Sequence, residues 1–491
     1  MTKLSWAKMA FGVFLLCATT AIALSAQTFT TLHSFDYTDG AAANAALVQA
    51  TDGNLYGTTF YGGTQRTGTI FQITSAGTLT TLYSFCSQSN CADGSEPYAG
   101  LIQATDGNLY GTTTSGGSNR LYGTVFEFAL SGTLTTLHSF NNVGGGGANP
   151  KSALVEAADG NLYGTTYDKG THGYGTAFKI MLNGTLKTLY QFCSQNRCTD
   201  GEYPEGALIQ AADGNFYGTT AAGGVFQECD GFPLGCGTVF RITPAGRLTT
   251  LYEFCSQSGC TDGESPLAGL VQASNGNLYG TTSFGGAFGY GAVFKITPAG
   301  KLTTLYSFCS QSGCTDGEHP YAALIQATDG NFYGTTYEGG TSPNCGGGCG
   351  TIFKITPTGK LTTLYNFCSQ SGCADGNGPT ASLIQGTDGN FYGTTAYGGN
   401  AWGTIFSLSV GLGRFVKTQP TSGKAGSAVS ILGTNLTGAT SVSFNGTAAT
   451  FTVVSSSLIT TSVPSGATTG TVQVVTPSGT LSSNVPFRVL P

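Results

Sequence analysis

The chain has 491 residues, a net charge of −6, only 9% charged residues, 76 glycines and 11% aromatics. Only 19 lysines and arginines stand beside 25 acids, which excludes a nucleic-acid binder, because phosphate backbones are held by clustered cations. Past the first 26 residues no apolar stretch reaches the roughly 18 residues of a membrane span, so the mature chain is expected to have none.

Lys3 and Lys8, an apolar core from Met9 to about Leu24 and the small residues Ser25-Ala26 read as a signal peptide, 1–26, cleaved after Ala26. Leu16 before Cys17 disfavours a lipid anchor there. The protein is therefore expected to be secreted: periplasmic, extracellular or held at the cell surface.

From 27 to 410 one phrase, Asp-Gly-Asn-(Leu/Phe)-Tyr-Gly-Thr-Thr, recurs seven times, starting at Asp52, Asp106, Asp159, Asp213, Asn275, Asp329 and Asp388. The spacings are 54, 53, 54, 62, 54 and 59 residues, the period of a propeller, solenoid or array. Each repeat holds four short β-branched and aromatic runs bounded by turn formers, as in Leu324 to Phe367, and so predicts four antiparallel strands, A to D. Asp-Gly sets the A–B hairpin, since glycine accepts the positive φ of a tight turn. The fold class is all-β: a seven-bladed β-propeller followed by an immunoglobulin-like (IPT/TIG) β-sandwich. The last repeat lacks its D strand, while Thr28 to Phe35 is a lone D-type strand before the first. The N-terminal strand is therefore expected to complete the last blade and close the ring. The glycine after the motif tyrosine, as at Gly57 or Gly218, is expected to let a neighbouring blade approach.

Fourteen cysteines fall into local pairs: Cys86/Cys91, Cys193/Cys198, Cys255/Cys260, Cys309/Cys314 and Cys368/Cys373 at Cys-x4-Cys spacing, with Cys229/Cys236 and Cys345/Cys349 in the two longest repeats. In an exported chain these read as disulfides. No metal or cofactor is expected, because zinc sites bring two close pairs together, whereas the Cys-x4-Cys pairs sit in separate repeats. All 25 acids and 13 of the basic residues lie between Asp36 and Asp388; beyond them stand Arg414, Lys417, Lys424 and Arg488 and no acid.

After 410 cysteine disappears and short Ser/Thr/Val runs alternate with turns, giving a linker and the start of a sandwich at 411–418 and the sandwich itself at 419–491. Pro420-Thr421-Ser422-Gly423, Gly433-Thr434-Asn435-Leu436, Val442-Ser443-Phe444-Asn445-Gly446 and Val463-Pro464-Ser465-Gly466 resemble an IPT/TIG domain. That resemblance implies a spacer or binding module. The repeats, with their Gly-Gly after the phrase and Gly-Thr-Ile-Phe-Lys-Ile-Thr as at Gly350, resemble the GloVer (Gloeo_Verruco) repeats of exported bacterial proteins. The second resemblance implies surface association and carries no known activity.

In a propeller the D–A and B–C loops share one face. There the sequence offers ligand-binding candidates: Asp93, Asp200, Asp262, Asp316 and Asp375 after the cysteine pairs, and Tyr61, Tyr167, Phe284, Tyr337 and Tyr397 in the B–C loops. Carboxylates beside aromatics suit neutral sugars and would tolerate Ca²⁺, although no EF-hand run exists. The motif aspartates on the opposite face are explained by turn chemistry. Four histidines in separate repeats and no Gly-x-Ser-x-Gly elbow give no nucleophile signature. The expectation is a monomeric, non-catalytic scaffold binding carbohydrate, another surface polymer or an exported protein. The alternatives are a polysaccharide hydrolase or lyase using face carboxylates, and a structural surface protein.

Overall fold

The computed structural model describes residues 27–141, 145–226, 229 and 235–490. The expected signal peptide, and the tip of the loop between Val225 and Gly235, lie outside the described residues. Regular structure among the described residues is all strand, apart from five 3₁₀ turns of three residues each.

Seven four-stranded antiparallel sheets follow one another in a propeller-like arrangement. Sheet 1 comprises Val48–Gln49, Leu55–Thr59, Thr69–Ile73 and Leu79–Ser84; sheets 2 to 7 begin at Ile102, Val155, Ile209, Val271, Ile325 and Ile384. Sheet 7 takes its fourth strand, Thr28–Ser34, from the other end of the repeat array. That strand runs antiparallel to Thr404–Ser409, with Phe29 opposite Leu408 and His33 opposite Ile405. Phe29 also stacks on Tyr365 of sheet 6 at 3.8 Å between ring centroids, so its ring spans two sheets.

Each residue of the repeated phrase has a separate physical task. In the hairpin at Asp213, Oδ1 accepts the Asn215 N–H at 3.0 Å and Oδ2 accepts the Tyr217 hydroxyl at 2.8 Å, closing the turn around the φ of +82° at Gly214. Asn275 does the same work without charge: its Oδ1 accepts the Asn277 N–H and its Nδ2 donates to the Tyr279 hydroxyl, both at 3.0 Å. These acids are turn clamps.

The first threonine of each Thr-Thr pair ties its sheet to the next. Thr58 Oγ1 donates to the Ala99 carbonyl at 3.1 Å, and the series runs through Thr112, Thr165, Thr219, Thr281 and Thr335. It ends with Thr394 donating to Ala45, at 3.3 Å, which joins sheet 7 to sheet 1. A second series places a side-chain carboxamide on the hairpin of the preceding sheet: Gln103 Oε1 accepts the Thr51 N–H at 2.8 Å, and Gln49 Oε1 accepts that of Thr387 at 2.9 Å. Glu156 stands in this series as a carboxylate, accepting both the N–H and the hydroxyl of Thr105. Apolar packing crosses the same seam, where Leu47, Phe71 and Ile73 of repeat 1 meet Tyr392 and Ile405 of sheet 7.

The glycine after the motif tyrosine differs from expectation. A Cβ on Gly218 would lie 2.6 Å from the Phe240 ring and 2.8 Å from a Leu208 methyl, both in its own sheet. Its bareness lets strand C and the start of strand A close over strand B, rather than admitting a neighbour.

Residues beyond the ring form two more four-stranded sheets. One holds Lys417–Gln419, Ala428–Leu432, Leu458–Ser462 and Phe451–Val453; the other holds Thr447–Ala449, Ser441–Phe444, Val472–Thr476 and Gly479–Ser482. They face each other across a core of Val429, Ile431, Phe444, Ile459, Val474 and Phe487. Val416 already belongs to that core, and the Phe415 N–H donates to the Thr387 carbonyl at 3.1 Å, so this part of the segment is packed on both sides.

Two outcomes follow from these contacts. Gly218→Ala should cost about 1–3 kcal/mol of stability in denaturant unfolding, because Phe240 and Leu208 are fully packed and must shift. Burial, and then the Asp213 carboxylate, push the Tyr217 phenol up to about 12; burial and the matching aspartate also raise Tyr56, Tyr110, Tyr333 and Tyr392. A phenol raised on folding contributes stability that is intact below the unfolded value near 10 and is lost as pH rises through the folded value. Melting temperature against pH should therefore hold to about pH 10 and fall steeply by pH 12, alongside ultraviolet tyrosinate absorbance.

Candidate functional site

All seven cysteine pairs are disulfides. The five Cys-x4-Cys staples each hold a short 3₁₀ turn, and the aspartate two residues after the second cysteine folds back beneath it. Asp93, Asp200, Asp262, Asp316 and Asp375 are each 0% exposed. Asp262 accepts hydrogen bonds from the Tyr252 hydroxyl at 2.7 Å, the Ser256 N–H at 3.0 Å and hydroxyl at 2.9 Å, and the Gln257 N–H at 3.3 Å. The other four repeat this pattern, as at Asp93. These carboxylates turn inward because a buried charge must be fully hydrogen-bonded, and the loop supplies the donors. This corrects the expectation that they face a ligand. Asp262→Asn should lower stability by about 1.5–3 kcal/mol, the scale of hydrogen bonds to a charged group, while leaving the axial cavity intact, as checked by thermal melting.

The cysteines themselves are staples and not site residues. Cys91 and Cys260 are absent from the residues that line the axial cavity, and their sulfurs are taken up in the bonds to Cys86 and Cys255. Their work is done by the backbone. Cys91 and Cys260 adopt φ of +53° and +51°, a left-handed conformation uncommon for residues other than glycine. Held so, the Cys91 carbonyl accepts the Gly94 N–H at 2.9 Å and that of Gly117 at 2.8 Å; the Cys260 carbonyl accepts those of Gly263 at 2.8 Å and Gly286 at 2.9 Å. Each staple thus ties its own loop to the B–C loop of the next repeat. Cys198, Cys314 and Cys373 make the same pair of bonds.

The aromatic candidates lie around an axial cavity of about 600 Å³ that opens on the loop face. Tyr337 and Tyr397 line it. Tyr167 stands beside the lining and holds the Lys151 ammonium 3.5 Å from its ring centroid. Phe284 and Tyr61 are further out: Phe284 packs on His319 at 4.9 Å, and Tyr61 on Phe60 at 4.4 Å.

The inner wall comes from a column that sequence reading passed over. The residue eight positions before each motif aspartate or asparagine faces the axis: Asn44, Tyr98, Lys151, Glu205, Leu267, Tyr321 and Thr380. Two positions further on, a layer of small residues, Ala46, Gly100, Ala153, Ala207, Gly269, Ala323 and Ser382, leaves the axis hollow. The legible signal was variability: proline or alanine precedes this column and a small residue follows it in every repeat, while the column itself changes at every copy except for one repeated tyrosine.

Chemically the cavity is neutral. Lys151 Nζ pairs with Glu205 Oε1 at 3.2 Å, so its one ammonium and one carboxylate compensate each other. Burial first, and Glu205 second, push the phenols of Tyr98 and Tyr167 up to about 12. Tyr321 is raised by burial and then by Glu338, and Tyr337 by burial and then by Tyr397. All therefore stay uncharged and able to both donate and accept hydrogen bonds at ordinary pH. Rings and hydroxyls facing a cavity of this size bind by stacking and hydrogen bonding.

Among the described residues, four of the five clusters of possible metal ligands include disulfide-bonded cysteines. The fifth, Glu318, His319 and Glu338, has free ligand atoms within 4.8 Å of one another on the rim, with His319 Nδ1 at 2.9 Å from the Ser283 carbonyl.

No curated protein matches the chain. Among solved structures, the extracellular domain of a chain described as a hybrid two-component system of B. thetaiotaomicron superposes with a TM-score of 0.50 at 11% identity, over 94% of this chain and 58% of that one. The chain thus spans little more than half of that structure. A fungal alcohol oxidase of the AA5 family, in complex with copper, matches at a TM-score of 0.48 and 12% identity, over 94% of this chain and 99% of that one. The first of these similarities, at 11% identity, speaks to the all-β, propeller-like fold alone. The Gloeobacter/Verrucomicrobia repeat profile matches residues 18–232 and 229–454, nearly the whole chain including every copy of the phrase, and the chain belongs to that repeat family.

Proposed function

We propose that the chain is a seven-bladed β-propeller, closed by its N-terminal strand and joined to an IPT/TIG-type sandwich, which works outside the cytoplasm as a non-catalytic binding scaffold. Its axial pocket recognises carbohydrate or a chemically similar surface polymer. One observation carries this reading: the strand-forming runs recur from repeat to repeat, whereas the column that lines the cavity, with Tyr98, Lys151, Glu205 and Tyr321, breaks the sevenfold pattern, as do the B–C loops on the same face. Packing needs uniformity from repeat to repeat, whereas recognition needs particular groups at particular places. Seven disulfides support an oxidising compartment.

Neutral phenols, an internally paired charge and a volume inside the usual range for small-ligand pockets suit a polyhydroxylated ring. Glu205 is the one carboxylate among the lining residues, which weighs against a hydrolase built on a carboxylate pair. Purified protein on a glycan array is expected to give a defined set of hits, and Tyr337→Ala with Tyr397→Ala to weaken them at least about tenfold, or 1.4 kcal/mol. Reducing ends released from the same glycans would instead favour the hydrolase or lyase. Silence in both assays would leave a structural surface protein.

A further inference from the structure

We propose that the axial pocket takes the end of a glycan chain and not an internal stretch of one. The proposal rests on the glycan reading above and concerns the geometry of the same cavity.

The walls come from all seven repeats, so the cavity is enclosed on every side and has no lateral exit. Its far end is stoppered by the C-terminal sandwich. Lys417 Nζ donates to the Gln385 carbonyl at 2.6 Å, and the Thr434 and Thr387 hydroxyls meet at 2.7 Å, both on repeat 7. Ser457 Oγ donates to Thr51 of repeat 1 at 3.0 Å, and Gln419 Nε2 donates to the Gln103 carbonyl of repeat 2. Across the ring, Arg488 donates to the Ala212 carbonyl of repeat 4. A body anchored to repeats 7, 1, 2 and 4 lies over the axis.

Beneath it, a second cavity of about 540 Å³ is bounded by the Lys417–Ser422 segment on one side and by Gln49, Gln103, Glu156 and Gln210 on the other. Apolar β-branched residues ring the axis at this level: Val48, Ile102, Val155 and Ile384 line the second cavity and Ile209 the first. Such a collar offers hydroxyls no partner, so threading a sugar chain through it would strip polar groups of water without compensation.

An internal stretch of polymer needs an entry and an exit, and this well has a single mouth. A terminal unit can enter, with the following units leaving over a rim whose aromatics, among them Tyr61, Phe288 and Trp402, are exposed.

The test is competition against immobilised full-length protein by soluble starch, xylan and laminarin, each intact and after partial acid hydrolysis. For whichever of these binds, inhibition should follow the number of chain ends: a digest with about ten times the ends should inhibit at about one tenth of the mass. Equal inhibition per unit mass, or affinity that climbs steadily with oligosaccharide length, would show that internal segments are held and overturn the proposal. Absence of binding to every glycan, these and those on the array, removes the underlying reading and this one with it, an outcome distinct from mass-dependent binding.

Discussion

The ring depends on one hydrogen bond made seven times: the first threonine of each Thr-Thr pair reaches across a seam to a carbonyl of the next repeat. Each such bond is worth only about 1 kcal/mol net. Its weight lies in the constraint it imposes. The acceptor adjoins the residue that faces the axis, as Ala99 follows Tyr98 and Pro204 precedes Glu205, so each seam fixes the depth and rotation of one lining side chain. Seven such steps then bring sheet 7 back to sheet 1, where Thr394 finds Ala45.

This division of labour explains how the chain can be monotonous in its strands yet variable along its axis. The phrase clamps its hairpin through aspartate and tyrosine, leaves room for its own sheet through glycine, and ties its neighbour through threonine. None of these tasks involves the residue eight positions earlier. That position is held rigidly by surroundings that recur from repeat to repeat yet is free to change, and a tyrosine, lysine or glutamate placed there costs the seams nothing. The staple loops on the same face are different: their aspartates are buried in hydrogen bonds to Tyr252, Ser256 and their counterparts, so they shape the face without offering it charge.

Most of the architecture was legible because it is periodic. The four runs of each repeat, the unmatched strand at Thr28 and the missing one after Val410 place the N-terminal strand on the last sheet by simple bookkeeping; the register, with Phe29 opposite Leu408, comes from the fold. The cysteine pairs were legible because each cysteine has one partner four to seven residues away in an exported-type chain, although the left-handed backbone at Cys91 and Cys260 leaves no mark in the sequence. The site was only half legible. Tyr337 and Tyr397 follow from loop position, but Asp262 and its equivalents resemble surface turn residues in sequence and are drawn inward by a serine and a tyrosine that only the folded loop brings together. Tyr98, Lys151, Glu205 and Tyr321 were overlooked for the opposite reason: they sit just outside the repeated phrase, where a departure from the pattern looks like noise until the repeats are stacked around an axis. The glycine of the phrase was assigned to the wrong neighbour, since sequence shows that something comes close but not from which side.

Sharing one sheet between the two extremities of the ring has a bearing on biogenesis. Thr28–Ser34 cannot find Thr404–Ser409 until about 370 intervening residues have been synthesised, so a segment made before every repeat is among the last to be paired. Contacts that distant in sequence form slowly, and in the interval an unpaired edge rich in threonine and phenylalanine is open to other chains. The local staples mature independently of that wait, each joining cysteines only four to seven residues apart. New chains would thus carry finished loops on an unfinished array, and docking of the sandwich across repeats 7, 1, 2 and 4 would be the step that makes the array hard to reopen.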